Sequence, residues 1–282
     1  MESVQKLTHV EHVLKRPDSY VGPVDKTHES YWLLNNTNNN FQKKNISYSP
    51  ALLKIFDEIL VNAIDRNSLH PKNVTQIAVS VDKETGEVTI ENNGPLGGIS
   101  VRMHEKEGIW NPELVFGHLL TSTNYDDNQK RIVGGRNGYG AKLTNIYSSE
   151  FSVVIKDGEE KKTYTQKWSN NMTTCHPPKI TKHSAGTSSV SITFTPDWKR
   201  FGMKDMDINI YKIFEKRVWD ANICTTSNCK VKFQGEALPK ITFEAYAKMH
   251  EGVTDLCSVT TDRWSVCVGP SENGLEQVSF VN

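Results

Sequence analysis

Between Ala51 and Asp65 the chain reads ALLKIFDEILVNAID, and apolar Leu52, Leu53, Ile55, Phe56, Ile59, Leu60, Val61, Ala63 and Ile64 cover most of a helix surface. That pattern predicts a largely buried helix. Its polar exceptions, Lys54, Glu58, Asn62 and Asp65, recur at helical spacing as one narrow stripe, with Asp57 beside it. Elsewhere the period falls to two. IAVSVD and EVTIEN alternate around a turn near Gly86 and predict a hairpin, while FSVVIKDG, KTYTQKW and SVSITFTP predict further strands between Phe151 and Pro196. A helical period returns in IYKIFEKRVWDAN, with Ile210, Ile213, Phe214 and Val218 on one side. VKFQGEAL then reads as strand and turn, followed by a helix near Phe243 to His250, and RWSVCVG and EQVSFVN read as strands near the end. Residues 1 to about 45 read as a strap and helix leading into a polar, Asn-rich loop, Asn35 to Asn45. Strands and helices mixed in this way, without strict βαβ alternation, favour an α+β sandwich.

Composition narrows the function classes. With 282 residues and 37% hydrophobic content the chain can bury a substantial core, in one large domain or two unequal ones. Thirty-three basic residues balance thirty-three acidic ones, so the basic footprint of a dedicated nucleic-acid-binding domain is missing. Lys156, Lys161, Lys162, Lys167, Lys179, Lys182, Lys199 and Arg200 are local exceptions, which read as solvated surface first and as nucleic-acid contacts second. Five widely spaced cysteines form no paired zinc-ligand pattern, which fits a reduced intracellular protein. No uninterrupted apolar segment approaches membrane-spanning length, so no membrane partner is expected.

Two elements carry candidate chemistry. The Gly-rich run Gly134-Gly135-Arg136-Asn137-Gly138-Tyr139-Gly140-Ala141-Lys142-Leu143 can bring several backbone N–H groups onto phosphate oxygens. It is not a Walker A loop, because Ala141 separates Gly140 from Lys142 and Leu143 follows, and its glycine spacing does not fit a dinucleotide fingerprint. Asn62 is an odd choice for a helix interior, where a purely solvated stripe would use Lys, Glu or Gln. Its carbonyl oxygen is a suitable hard ligand for magnesium, and the Glu58 carboxylate one turn away can accept a proton from an attacking water. Taken alone, the stripe fits a solvated or core-capping helix face better than a catalytic one. The glycine run tips the balance towards an ATP-hydrolysing site.

Several strings in fixed order then carry a resemblance: LKRPDSYVG (Leu14 to Gly22), KIFDEILVNA (Lys54 to Ala63), Asn92-Asn93-Gly94, NPELVFGHLLTSTNYDD (Asn111 to Asp127), GGRNGYGAKLTNI (Gly134 to Ile146) and QVSFVN (Gln277 to Asn282). Together they resemble the ATPase region of eukaryotic-type, type II DNA topoisomerases, within the wider superfamily of gyrase, the ninety-kilodalton heat-shock chaperone, sensor histidine kinases and MutL. The resemblance implies a two-layer Bergerat-type ATPase sandwich, a mixed sheet with helices on one face. It implies a leading segment at 1–45, the ATPase domain at 46–249, and the start of a second, α/β transducer domain at 250–282.

By the same resemblance ATP is the substrate and Mg2+ the cofactor. Glu58 is the general base and Asn62 the magnesium ligand, Asn92 reads the adenine side, and Ser122, Thr123 and Asn124 contact ribose and phosphate. Gly135, Arg136, Asn137, Gly138, Tyr139, Gly140, Ala141 and Lys142 wrap the phosphates, with Lys142 as a mobile cation and Arg136 and Tyr139 shaping a lid. A homodimer exchanging N-terminal straps is implied, with duplex DNA as partner of the full-length enzyme. Its place would be nuclear, or a cytoplasmic replication site for a viral enzyme. The DNA-cleaving tyrosine and the transducer lysine have no counterpart in residues 1–282, as expected of a piece of a longer protein. Three positions depart from the family pattern. The loop GPLGGI is two residues longer than usual, Arg66 stands where an Asn is common, and Val4 stands where the strap carries a Tyr. The alternatives are a nucleotide-binding regulatory module with little turnover and a MutL-like, ATP-operated clamp.

Overall fold

The computed structural model describes residues 5–121, 138–261, 264–271 and 274–280. A short helix α1 (His9–Lys15) opens the chain, held by a capping box between Thr8 and Glu11. It is followed by a hairpin, β1 (Thr27–Asn35) and β2 (Asn40–Tyr48). The long helix α2 (Pro50–Leu69) runs for 20 residues, started by the Ser49 side chain and by proline at its first position. Two strands, β3 (Gln76–Val81) and β4 (Val88–Asn93), pair antiparallel as the alternation predicts. Short helices α3 (Asn111–Gly117) and α4 (Gly140–Ile146) come next. Strands β5 (Ser148–Asp157), β6 (Lys162–Ser169), β7 (Thr174–Cys175), β8 (Lys179–Lys182) and β9 (Ser189–Pro196) then build out the sheet. Helix α5 (Ile208–Cys224), β10 (Lys230–Phe233), β11 (Glu236–Ala237), α6 (Phe243–Lys248) and a terminal hairpin, β12 (Cys257–Thr260) with β13 (Ser265–Val268), complete the described chain.

One mixed sheet of nine strands organises the molecule, in the order β11-β10-β3-β4-β9-β5-β6-β7, with β8 also paired to β6. Among the described strand pairs of this sheet, β10 and β3 run parallel and the others antiparallel. Register puts the buried apolar residues on one face: Val79 opposes Ile90, Ile90 opposes Ile192, Phe151 opposes Phe194, and Ile155 opposes Tyr164. Because side chains alternate, the other face receives Ser80, Thr89, Thr193, Ser152 and Lys167. Helices α2, α4 and α5 cover the apolar face, and Phe56 of α2 stacks on Phe214 of α5 with ring centroids 4.0 Å apart. Such a pair adds about 0.5–1.5 kcal/mol beyond the area it buries.

The Asn-rich stretch departs from expectation. Asn35 to Asn45 is not a loop: its ends belong to β1 and β2, joined by a turn in which Asn39 adopts positive φ. Leu33, Leu34, Phe41, Ile46 and Tyr48 are buried, and the hairpin packs on α5, so tertiary burial overrides the turn-forming composition of the asparagines. Near the end, residues 277–280 form no ladder although EQVSFVN reads as a strand. A strand exists only with a partner, and among the described residues none pairs with it. A buried network crosses from α2 to α5 and α6. Arg217 donates to both Asp57 oxygens and to Asp220, and Lys216 donates to Asp220 and Tyr246. Among the described residues no helix is long and apolar enough to cross a membrane.

Candidate active site

A cleft of about 1290 Å³ opens between α2, the sheet face at β4 and β9, α3, and the start of α4. Its volume suits a ligand somewhat larger than most small-molecule pockets take. Helix α2 supplies Lys54, Glu58, Asn62, Asp65 and Arg66 to its wall. Four-residue spacing brings Glu58 and Asn62 to successive turns of one face, and Asn62 is exposed to the cleft. Glu58 is half-buried and pairs with Lys54 at 2.6 Å.

What sets the site is the approach of α4. Thr144 Oγ1 donates to the Ile55 carbonyl at 2.8 Å and Asn145 Nδ2 to the Phe116 carbonyl at 3.0 Å, so α4 is locked between α2 and α3. Tyr147 follows the helix and its hydroxyl reaches the Val13 carbonyl at 2.8 Å, tying α1 to the same end. The lock leaves Gly140 against the Glu58 carboxylate: a Cβ there would overlap Oε2 and stand 3.0 Å from Cδ. Only glycine leaves the carboxylate where it is. Tyr20 joins the mouth of the cleft, its ring 6.4 Å from that of Tyr139 and its hydroxyl 2.9 Å from His12 Nδ1.

Asn92 and Asn93 divide their work. Asn93 Oδ1 accepts from the backbone N–H groups of Thr75 and Gln76, both at 2.9 Å, and its Nδ2 donates to Thr75 Oγ1. It is a structural clamp. Asn92 lies on the opposite side of the strand, buried at the cleft floor, with Nδ2 donating to the Asn93 carbonyl at 3.1 Å. Period-two alternation alone decides which of the two faces a ligand.

Lys142 corrects an expectation. It is not a mobile cation but a buried one, 2% exposed, with Nζ donating to the Thr121 carbonyl at 2.7 Å and the Gly138 carbonyl at 2.5 Å. A helical side chain leans towards the preceding turn, and in the third position of α4 that direction leads into the protein. Burial lowers the ammonium to about 8. Asp65 is buried too, and burial raises its carboxyl to about 6, with Arg66 opposing and Glu58 reinforcing the rise. Gly138, Tyr139, Gly140, Ala141 and Lys142 line the cleft. Ser122, Thr123, Asn124, Gly135, Arg136 and Asn137, with Val4 of the strap, lie outside the described residues. Arg66 and Tyr20 also line the cleft. No periodicity in the sequence marks either; only the cleft does.

No protein-family model matches the chain. It is 41% identical over 295 residues to DNA topoisomerase 2 of Penicillium chrysogenum, covering 100% of this chain and 18% of that protein. Against DNA topoisomerase 2 of Saccharomyces cerevisiae it is 39% identical over 301 residues, covering 100% and 21%. The crystal structure of the ATPase region of Saccharomyces cerevisiae topoisomerase II superposes with a TM-score of 0.91 at 40% identity, covering 95% of this chain and 71% of that one. The chain belongs to the type II DNA topoisomerase family. The ATPase and transducer domains of DNA topoisomerase II from Balamuthia mandrillaris superpose as well, with a TM-score of 0.90 at 40% identity over 96% of this chain and 69% of that one. The chain spans about a fifth of the length of the curated topoisomerase relatives it matches, and its α+β fold is that of their ATPase region.

Proposed function

We propose that the chain binds and hydrolyses ATP as the nucleotide-operated gate of a type II DNA topoisomerase. The observation that carries this reading is the Glu58 carboxylate held against Gly140, with Asn62 one turn further along the same cleft wall. Glu58 takes the proton from the attacking water, while the backbone from Gly138 to Ala141 lies along the phosphates. Asn92, at the cleft floor, meets the adenine. Lys142, on the cleft wall, grips the Thr121 and Gly138 carbonyls and so fixes the first turn of α4 beside the phosphates.

Among the described residues no group of three His, Cys, Asp or Glu side chains converges to hold a metal. An oxygen ligand such as Asn62 Oδ1, supplemented by phosphate oxygens and water, is the donor set that magnesium takes in nucleotide sites, so the residues fit the ion. When bound, magnesium neutralises charge on the phosphates. In the full-length protein nucleotide binding favours a homodimer through exchange of N-terminal straps, and the cycle drives one DNA duplex through another. A nuclear setting accords with the eukaryotic relatives; a viral enzyme would act at a cytoplasmic replication site.

Equilibrium binding of a non-hydrolysable ATP analogue with magnesium, with Asn62→Ala beside the parent, tests the site. Saturable binding that Asn62→Ala loses is expected. A folded parent that binds nothing overturns the reading. Glu58→Gln is expected to keep binding and lose turnover; equal turnover in both would leave a regulatory nucleotide-binding module.

A further inference from the structure

Asp57 stands next to Glu58 in the chain, so the two carboxylates leave α2 about 100° apart. Glu58 lines the cleft, and Asp57 meets α5. There Arg217 Nε donates to both Asp57 oxygens, at 2.8 and 3.2 Å, while its Nη1 donates to Asp220 Oδ2 at 2.8 Å. Asp220 is buried, and its other oxygen accepts from Lys216 Nζ and from the Tyr246 hydroxyl, both at 2.5 Å. The guanidinium is thus anchored in α5 and α6 as well as on α2. Arg217 does not line the cleft, and the hydrolysis described above gives it no task.

The position of the Glu58 carboxylate depends on how α2 is turned about its own axis. The ion pair of Glu58 with Lys54 lies within α2, so it does not fix the carboxylate relative to the rest of the protein. Phe56 stacks on Phe214 of α5 with the rings 7° from parallel, which sets the distance between the helices. Stacked apolar surfaces resist separation more than rotation, because burial is non-directional. Thr144 grips the same turn from α4 through the Ile55 carbonyl. A backbone carbonyl sits near the axis and has little leverage. The Asp57 carboxylate sits at the rim, about 5–6 Å out, where a rotation of about 10° is a displacement of about 1 Å. A charge-assisted contact to both of its oxygens is directional and resists that displacement.

We propose that Arg217 is a positioning residue for ATP hydrolysis, holding α2 through Asp57 in the rotation that presents Glu58 to the attacking water. The role rests on the ATP reading above and extends it to a residue outside the cleft. A catalytic carboxylate must be held to within about 0.5 Å and 10–20°, and this pair supplies that restraint from the opposite side of the helix.

The test is steady-state ATP turnover, equilibrium binding of a non-hydrolysable analogue with magnesium, and thermal melts on the parent, Arg217→Lys, Asp57→Asn and the double variant. Arg217→Lys keeps the charge without the fork, and Asp57→Asn keeps the shape without the charge. Lys216→Met is the control, since it damages the same buried network without touching α2. Each single variant is expected to lower kcat by about tenfold or more, towards the roughly 100-fold that a 1 Å misplacement can cost, with KM and analogue affinity within a few-fold of the parent. The double variant should be no slower than the slower single one, because both break one contact. Lys216→Met should melt lower and turn over like the parent. Parent-like kcat in folded Arg217→Lys and Asp57→Asn would overturn the proposal and leave the ATP site standing. So would an equal slowing in Lys216→Met, an analogue affinity that falls in step with kcat, or failure of both single variants to fold, each of which makes the pair merely structural. A parent that neither binds the analogue nor turns over ATP would overturn the ATP site and the proposal together.

Discussion

Replacing Gly140 with alanine probes the closest approach in the site. The added methyl overlaps Glu58 Oε2, lies 3.0 Å from Cδ and 3.5 Å from Cβ of the same side chain, and meets no backbone atom among these nearest neighbours. What yields is thus the free end of a flexible side chain, held by one ion pair to Lys54. Losing an exposed pair costs about 0–1 kcal/mol, and an off-rotamer torsion about 0.5–1.5 kcal/mol. Alanine in a helix recovers roughly 0.5–1 kcal/mol relative to glycine. Stability should therefore change by no more than about 1 kcal/mol, a few degrees in Tm at this chain length.

Catalysis should respond far more strongly. Restoring ordinary contact moves the carboxylate by on the order of 1 Å, and a misplacement of that size can cost about 100-fold in rate. Gly140→Ala is expected to melt within a few degrees of the parent, bind a magnesium–ATP analogue within a few-fold, and turn over ATP about 100-fold more slowly. Tm, analogue affinity and phosphate release measured on the same preparations decide the matter. Parent-like turnover would refute the idea that the carboxylate acts from its place against α4. Failure to fold would show that the backbone of α4, rather than Glu58, gives way.

The two neighbouring asparagines should separate stability from binding. Asn93→Ala strands the N–H groups of Thr75 and Gln76, costing about 1–3 kcal/mol in denaturant unfolding, whereas Asn92→Ala should mainly weaken nucleotide affinity; the reverse pattern would exchange their roles. Arg217→Ala removes the partner of Asp57 and Asp220 in a largely buried network and should cost about 3–5 kcal/mol, with a loss below about 1 kcal/mol placing those carboxylates effectively in solvent. Asp65→Asn addresses pH. The folded carboxyl, raised to about 6, lies above the unfolded value of about 3.9, so the parent loses stability as pH climbs between them. Asp65→Asn should melt higher than the parent at pH 7.5 and lose that advantage by about pH 4; parallel pH profiles would rule out the raised carboxyl.

Much of the secondary structure was legible because periodicity is local. Alternation in IAVSVD, EVTIEN and SVSITFTP marked strands whose inward residues do share one face, and the apolar run from Leu52 to Ile64 lies within a helix whose polar side chains line the cleft. The long strings around Glu58, Asn92 and the glycines carried the family. Local pattern failed where long-range burial decided. Phe41 and Ile46 pulled an Asn-rich stretch into a hairpin, and EQVSFVN had no neighbour to complete a ladder among the described residues.

By itself the sequence determined the fold class, the family and the identity of Glu58 and Asn62 as candidate site residues, since these follow from residue type and spacing along single elements. The tertiary structure decided which face each polar residue meets. It turned Lys142 from a free cation into a buried clamp on two carbonyls, made Asn93 structural while Asn92 faced the cleft, and joined Arg66 to a loop thirty residues away. The physical reason is common to all of these: the free energy of a buried charge or amide depends on the partners that packing brings to it, and those partners come from other elements.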